Sequence, residues 1–317
     1  MGKIDEKIIV TRLAKIKYLY KIGVEQSTQV ETVAGFSILS FHDCAEMFLL
    51  LIAEDHGAKN EVSTFMEYWN KYPELTLRES MNNLKERRRI LKHKGIFPSK
   101  NDIEESRVTI TQFLRENTFK FFGVNFDTIS LADLIDNLNV KEYVLKTEAF
   151  LEQGDMFECL LNAKIGFEEL LTTYESTKQQ YYKSIFNIGE EIGTGFERIV
   201  PRKEINKARW FEQVTKTTNA LRNILKISAF GIDYKKYALF NVITPGVRKI
   251  CGPADSTYKY EHDSKEYFES TRNITIQDCR FCVDFVIDSA LKLQEFDFDI
   301  NKYLNRNSLN HQYSLNG

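Results

Sequence analysis

Arg88 and His93 are the residues whose types and spacing most clearly suggest chemistry. They lie five positions apart in the segment LKERRRILKHKGIFPS, residues 84–99. A histidine exchanges protons near neutral pH, and a guanidinium binds phosphate through its forked N–H donors. Such groups could cleave RNA: a base removes the ribose 2′-hydroxyl proton, the oxygen attacks the phosphorus, and an acid protonates the leaving 5′-oxygen. The products would be 2′,3′-cyclic phosphate and 5′-hydroxyl ends.

The spacing sets a condition on this chemistry. A helix is predicted over Leu77–Lys94, with Gly95 at its end. Five residues turn an ideal α-helix by about 500°, which leaves Arg88 and His93 about 140° apart around the axis. The two side chains can meet one substrate where the helix ends, or where a second copy of the chain supplies part of the site. We therefore predict a homodimer or higher homo-oligomer, with two such pairs in one cleft.

Further cations surround this pair. They are Arg87, Arg89, Lys92 and Lys94, and we predict that they bind neighbouring phosphates of an RNA partner. The alternative is a solvated helix face, which is the usual role of such a charge run. Because the formal net charge is -2, any polyanion site must be a local patch.

Three polar residues interrupt an apolar helix predicted over Val30–Ala53. Asp43 and Glu46 need partners in such a helix, because burying an unpaired acid is costly. Either they are supporting carboxylates that orient the arginine or the histidine, or they pair with a lysine or cap a buried polar group. We interpret His42 as a core or boundary histidine with satisfied hydrogen bonds, rather than as a catalyst. The sequence predicts no metal site and no cofactor, since no carboxylate cluster with metal-binding spacing is evident.

A mainly α fold is predicted from apolar residues at helical spacing and from the scarcity of glycine and proline, 15 and 5 among 317 residues. Predicted helices cover Ile8–Ile22, Val30–Ala53, Val62–Tyr72, Leu77–Lys94, Ile103–Phe122, Ser130–Asn137, Val140–Gln153, Met156–Lys178, Glu204–Phe230 and Ile276–Phe296. Short connections favour an antiparallel bundle. Tyr234–Thr244 is either a strand pair or a short helix.

The domain organisation is predicted from a change in composition. Three glycines in Phe186–Phe196 indicate a boundary near 183–200. The expected domains are a helical bundle over 1–180 and a mostly helical region with short strands over 181–317, whose role is unknown.

The cysteines and the hydropathy pattern bear on location. Five scattered cysteines do not predict a disulfide scaffold. Cys279 and Cys282 form a C-x-x-C, but they fall on an apolar helical stripe, which favours buried thiols over zinc ligands. No secretory signal is evident, and no apolar run approaches the ~20 residues that span a bilayer. We expect a cytoplasmic protein without a membrane partner.

The order of these segments resembles the HEPN superfamily of helical bundles, whose members often carry an R-x4-6-H motif. Arg88 and His93 match that motif, and the apolar helix with LSFHDCAEMFLLLIAEDHG precedes it. The segment NDIEESRVTITQFLRENTFKFFGVNFDTISLADLI, which follows, resembles bacterial HEPN-like proteins of unassigned role. The likeness covers approximately residues 25–175.

The resemblance implies a bundle that dimerises through the motif face. It also implies metal-independent ribonuclease activity, which many members use in antiphage defence, as toxins or in RNA processing. Arg88 and His93 would take the motif roles, as transition-state stabiliser and as general base or acid. Active members often have a small polar residue after the motif arginine, where this chain has Arg89. The alternative is a non-catalytic module for RNA binding or protein scaffolding, and a regulatory protein partner acting through the C-terminal region is a further expectation.

Overall fold

The computed structural model describes residues 4–180, 183–187, 205–251 and 258–304. It confirms the predicted mainly α class, with two small antiparallel sheets among the described residues. The chain divides into two compact units, Met1–Leu134 (unit 1) and Ile135–Gly317 (unit 2).

Unit 1 is built around one buried helix, α3. Its helices are α1 (Glu6–Ser27), α2 (Glu31–Ala34), α3 (Ser37–Asp55), α4 (Tyr68–Lys71), α5 (Arg78–Lys94) and α6 (Lys100–Phe122). Short 3₁₀ turns occupy Phe65–Glu67, Phe126–Thr128 and Leu131–Leu134. α3 packs against α1, α5 and α6, and its Phe41, Phe48, Leu49 and Ile52 are fully buried. This arrangement leaves one narrow face of α3 uncovered.

The helix predicted over Val30–Ala53 is divided in two at Gly35. α2 ends at Ala34 and α3 begins at Ser37. A Cβ at Gly35 would overlap the ring of Phe97, and Phe36 packs edge-on against that ring, with 5.3 Å between centroids. The loop after α5 therefore lies directly on the junction of α2 and α3.

The stretch Glu31–Asp55 is long and apolar enough, by length and composition, to cross a membrane. This differs from our expectation that no apolar run is long enough. The mean hydropathy of its most apolar window is 1.6, and 61% of that window is buried inside the protein. The core helix of a soluble protein passes the same test.

The position of α5 is defined at both ends. Leu77, just before the helix, has a left-handed backbone conformation (φ 58°), and Gly95 ends the helix with φ 67°. Ser99 then caps α6 in a reciprocal pair of hydrogen bonds with Asp102. The predicted end of the helix at Gly95 is confirmed, and only five residues separate α5 from α6.

Unit 2 contains a helical hairpin with a third helix packed on both members. Its helices are α7 (Leu138–Gln153), α8 (Met156–Ser176), α9 (Ile205–Ala229), α10 (Tyr234–Ile243), α11 (Lys265–Thr271) and α12 (Ile276–Glu295). Its strands are β1 (Gln179–Gln180), β2 (Lys183–Ser184), β3 (Val247–Cys251) and β4 (Tyr258–His262), paired β1–β2 and β3–β4. α12 contacts both α7 and α8. Of the two interpretations of Tyr234–Thr244, the helix is the observed one.

The division between the units lies at residues 134 and 135, earlier than the glycine-rich segment near 183–200 at which the sequence predicts a boundary. The difference arises because α7 and α8 pack against α12, so both belong to the second unit. Most of the glycine-rich segment, residues 188–200, lies outside the described residues.

The cysteines of the C-x-x-C are fully buried free thiols, in agreement with the sequence interpretation. Cys159 of α8 is buried in the same way. Burial raises the pKa of the Cys282 thiol well above its usual range, which keeps it protonated and unreactive.

The α3 core predicts unequal costs for two similar truncations in α1. Leu13 is fully buried, whereas Ile8 is 51% exposed. Leu13→Ala should lower the free energy of unfolding of unit 1 by about 2–5 kcal/mol, because it leaves a cavity, and Ile8→Ala by less than about 1 kcal/mol.

Trp69 fluorescence during urea denaturation measures this difference. The background should be Trp210→Phe, because these are the only two tryptophans and Trp210, in unit 2, is 65% exposed. Equal shifts in the denaturation midpoint for both variants would contradict the assignment of the core.

Candidate functional site

A polar arc of α3, at the edge of its uncovered face, lies beside α5 and forms with it a cluster of titratable side chains. α3 contributes His42, Asp43 and Glu46, and α5 contributes Arg88. Arg88 Nη2 lies 3.7 Å from Asp43 Oδ1. The structure therefore brings two of the predicted site residues, Arg88 and Asp43, into direct charge contact.

The helical positions explain why the three α3 residues face one another. At 100° per residue, Glu46 and Asp43 lie about 40° and 100° around the axis from His42. All three side chains thus occupy less than a third of the circumference of α3. Most of the remaining surface of the helix is apolar and buried, and its other acids lie at its C-terminal end, where Glu54 pairs with Arg12 and Lys59.

His42 lies at the boundary between the core and the acidic pair. Its side chain is 2% exposed and stacks on Phe65, with ring centroids 4.4 Å apart and an interplanar angle of 27°. Nδ1 is 3.6 Å from Glu46 Oε2 and 3.9 Å from Asp43 Oδ1. Neither ring nitrogen has a hydrogen-bond partner among the described residues. The predicted burial is confirmed, but the two carboxylates beside the ring were not anticipated.

The electrostatics of the cluster are most evident at Glu46. Its polar interaction with the His42 ring is the largest influence and lowers the pKa of this carboxyl. Partial burial opposes that effect, and the positive charges of Arg88 and Lys92 add to it. Glu46 is therefore a stable anion beside the arginine.

Arg88 is held loosely. Its side chain is 25% exposed, and its buried Nε has no hydrogen-bond partner among the described residues. The 3.7 Å contact with Asp43 is an ion pair without hydrogen-bond geometry. A guanidinium in this state can turn toward a phosphate without breaking a strong hydrogen bond.

His93 is apart from this cluster. It lies in the last turn of α5, is exposed, and makes no hydrogen bond, ion pair or ring contact with another described residue. A single copy of the described chain thus does not bring His93 and Arg88 into contact. This agrees with the helical angle of about 140° between them.

The flanking cations differ in their surroundings. Arg87 is 16% exposed, forms ion pairs with Asp102 and Glu105 of α6, and donates a hydrogen bond to Ser106. It would have to leave all three to bind a phosphate as predicted. Arg89 is half-exposed and pairs within its own helix with Glu86, whereas Lys92 and Lys94 are exposed.

No protein-family model matches the chain, and searches of curated proteins and of solved structures also give no match. The HEPN resemblance therefore stays a prediction. The geometry of the α3–α5 cluster and the residue types within it are what indicate a function.

The surroundings of Arg87 and Arg89 predict different effects on stability. Arg87→Met removes two ion pairs and a hydrogen bond between α5 and α6, and should lower the free energy of unfolding of unit 1 by about 1–3 kcal/mol. Arg89→Met, the matched control one residue later, should change it by less than about 0.5 kcal/mol. Urea denaturation monitored by Trp69 fluorescence measures both. Equal losses of unfolding free energy in the two variants would show that the contacts of Arg87 with α6 do not stabilise unit 1.

The His42 ring predicts the titration of Glu46. His42→Phe keeps the stacking on Phe65 but removes the ring nitrogens, so the pKa of Glu46 should rise toward its ordinary value. Carboxyl ¹³C NMR measures it, with the resonance assigned through Glu46→Gln. Because the folded-state pKa is lowered, Glu46 contributes stability above its unfolded-state pKa and loses it as the pH falls through the folded value. An unchanged pKa in His42→Phe would contradict the proposed contact.

Proposed function

We propose that this protein is a metal-independent endoribonuclease of the HEPN type, which leaves 2′,3′-cyclic phosphate and 5′-hydroxyl ends. The observation that carries the proposal is the loosely paired Arg88, five residues before the exposed His93 at the end of the same helix. DNA lacks the 2′-hydroxyl nucleophile and would not be cleaved.

Arg88 would stabilise the extra charge on the phosphoryl group in the transition state. Forked N–H donors suit that role, and such electrostatic stabilisation is often a large part of catalysis. Asp43 would hold the guanidinium near its working position in the absence of RNA. Glu46 would act as a second supporting carboxylate: it contacts His42, and its negative charge attracts the guanidinium of Arg88.

His93 would serve as the general base or acid. Its exposed ring is accessible to a ribose hydroxyl or a leaving oxygen, and no ion pair with a described residue restricts its movement. Because Arg88 and His93 lie on different flanks of α5, we propose that a second copy of the chain completes the site. Lys92 and Lys94 would bind adjacent phosphates, and Arg89 would do so after leaving Glu86.

An apolar patch next to the end of α5 supports the two-copy site. It consists of Phe36, Ile96 and Phe97, which are 43%, 57% and 44% exposed. Exposed aromatic and aliphatic side chains in one place are typical of an interface. The associated cellular roles, antiphage defence or toxicity in the cytoplasm under a regulatory partner, rest on the resemblance alone.

A non-catalytic role in RNA binding or protein scaffolding is the second candidate. It is favoured by the separation of Arg88 and His93 in the single chain. It differs from the first in one measurable respect, because RNA would bind near Arg88 and Lys92 without being cut.

Incubation of purified protein with RNA in the presence of a chelator tests the proposal. We expect wild-type protein to release cyclic phosphate ends, and His93→Ala to be slower by about 10²- to 10⁴-fold. Arg88→Ala should lose about 10²- to 10³-fold. His262→Ala, which removes an exposed histidine in unit 2, is the matched control and should retain the wild-type rate.

Three outcomes would contradict the nuclease proposal. They are identical RNA profiles from wild-type and His93→Ala protein, cleavage that needs magnesium, and equal cleavage of a DNA of the same sequence. Light scattering measures the oligomeric state, and a strict monomer at micromolar concentration would remove the two-copy site. Binding of RNA without cleavage would support the second candidate.

A further inference from the structure

We propose that His42, Asp43 and Glu46 form a binding site for one divalent transition-metal ion of the zinc type. The proposed ribonuclease does not use this ion. The site faces Arg88, so that binding of the ion and pairing of Arg88 compete for Asp43.

The candidate ligand atoms lie close enough together to share one ion. One nitrogen of His42 and one oxygen from each acid all lie within 4.8 Å of one another. Two ligands bound to zinc at about 2.1 Å and a tetrahedral angle lie about 3.4 Å apart. His42 Nδ1 is 3.6 Å from Glu46 Oε2 and 3.9 Å from Asp43 Oδ1. Small rotations of the two carboxylates would therefore close the site around an ion.

The imidazole of His42 gives further support. Its side chain is 2% exposed, Nδ1 meets the two carboxylates only at 3.6 and 3.9 Å, which is beyond hydrogen-bond distance, and Nε2 has no hydrogen-bond partner among the described residues. Buried polar atoms in proteins almost always have a partner, because leaving one without costs free energy. The ring stacks on Phe65, and Nδ1 is the nitrogen that lies beside the carboxylates. A metal ion at that point would give this nitrogen its partner.

The ligand set indicates the kind of ion. An imidazole nitrogen favours zinc and other late first-row metals, whereas magnesium and calcium prefer oxygen ligands throughout. Two carboxylates balance the charge of a divalent ion. Three protein ligands also leave a coordination position for water, and the side chains of Asp43 and Glu46, 51% and 46% exposed, give the ion access.

The position of Arg88 gives the site a consequence. Its guanidinium lies 3.7 Å from the Asp43 oxygen that the ion would use. A bound divalent ion would take that carboxylate and repel the arginine, which would then lose its present position. This consequence rests on the proposed function and predicts that zinc inhibits RNA cleavage. The binding of the ion does not rest on it.

Calorimetric titration of untagged, chelator-treated full-length protein with Zn²⁺ tests the binding. We expect one ion per chain at this site. Loss of a residue that only orients a ligand already costs about 10- to 100-fold in affinity, so Asp43→Asn and Glu46→Gln should each weaken binding by at least about 100-fold. These acids are half-exposed, so both variants should fold, which circular dichroism checks. His56→Ala removes an exposed histidine of the same unit and should bind as the wild type does.

Cobalt gives a second readout of the ligands. Co²⁺ should produce visible absorption bands on binding, which Zn²⁺ abolishes and which His42→Phe lacks. The absence of saturable zinc binding at millimolar concentration would overturn the proposal, as would unchanged affinity in both acid variants. Zinc binding without ribonuclease activity would leave the site intact and reject the nuclease. Cleavage without zinc binding would do the reverse.

Discussion

The burial of α3 is the constraint on which the candidate site depends. This helix packs against three others and places large apolar side chains, among them Phe41 and Phe48, at the centre of unit 1. In the middle of the helix, the acids Asp43 and Glu46 lie on the exposed arc, and α5 lies beside it. The arc therefore brings the charges of Asp43 and Glu46 close to Arg88 of α5. His42, at the edge of this arc, stacks on the core residue Phe65 and places Nδ1 beside the two acids.

Most of the predicted helices are observed because their signals are local, whereas the one predicted over Ser130–Asn137 is wrong and is only a 3₁₀ turn at Leu131–Leu134. Apolar spacing predicts α3 and α12, and Gly95 marks the end of α5 at the residue where it is observed. The break between α2 and α3 is not predicted, because it depends on a contact between Gly35 and the distant Phe97. The division between the units at residues 134 and 135 also depends on distant contacts. The packing of α12 on α7 and α8 places all three helices in the second unit, and local composition cannot predict such a contact.

Some residues of the candidate site could likewise be predicted from sequence, and others depend on distant contacts. Arg88, Asp43 and Glu46 could be singled out by residue type, and two of them lie in direct contact. Arg87 and Arg88 are indistinguishable in sequence, yet one is tied to α6 by three partners and the other has a single loose partner. The involvement of His42 had a sequence signal in its spacing with Asp43 and Glu46. The sequence alone assigns His42 to the core or its boundary, because only the structure shows that its Nδ1 lies beside the two carboxylates.

The close approach of Gly35 and Phe97 carries a consequence for the geometry of His93. Phe97 lies four residues after His93, and Gly35 is held between α2 and α3. Gly35 thus leaves room for the ring of a residue some sixty positions later in the chain. A side chain at position 35 would overlap that ring, and Phe97 would have to move. A residue with no reactive group of its own therefore shapes the surface next to His93.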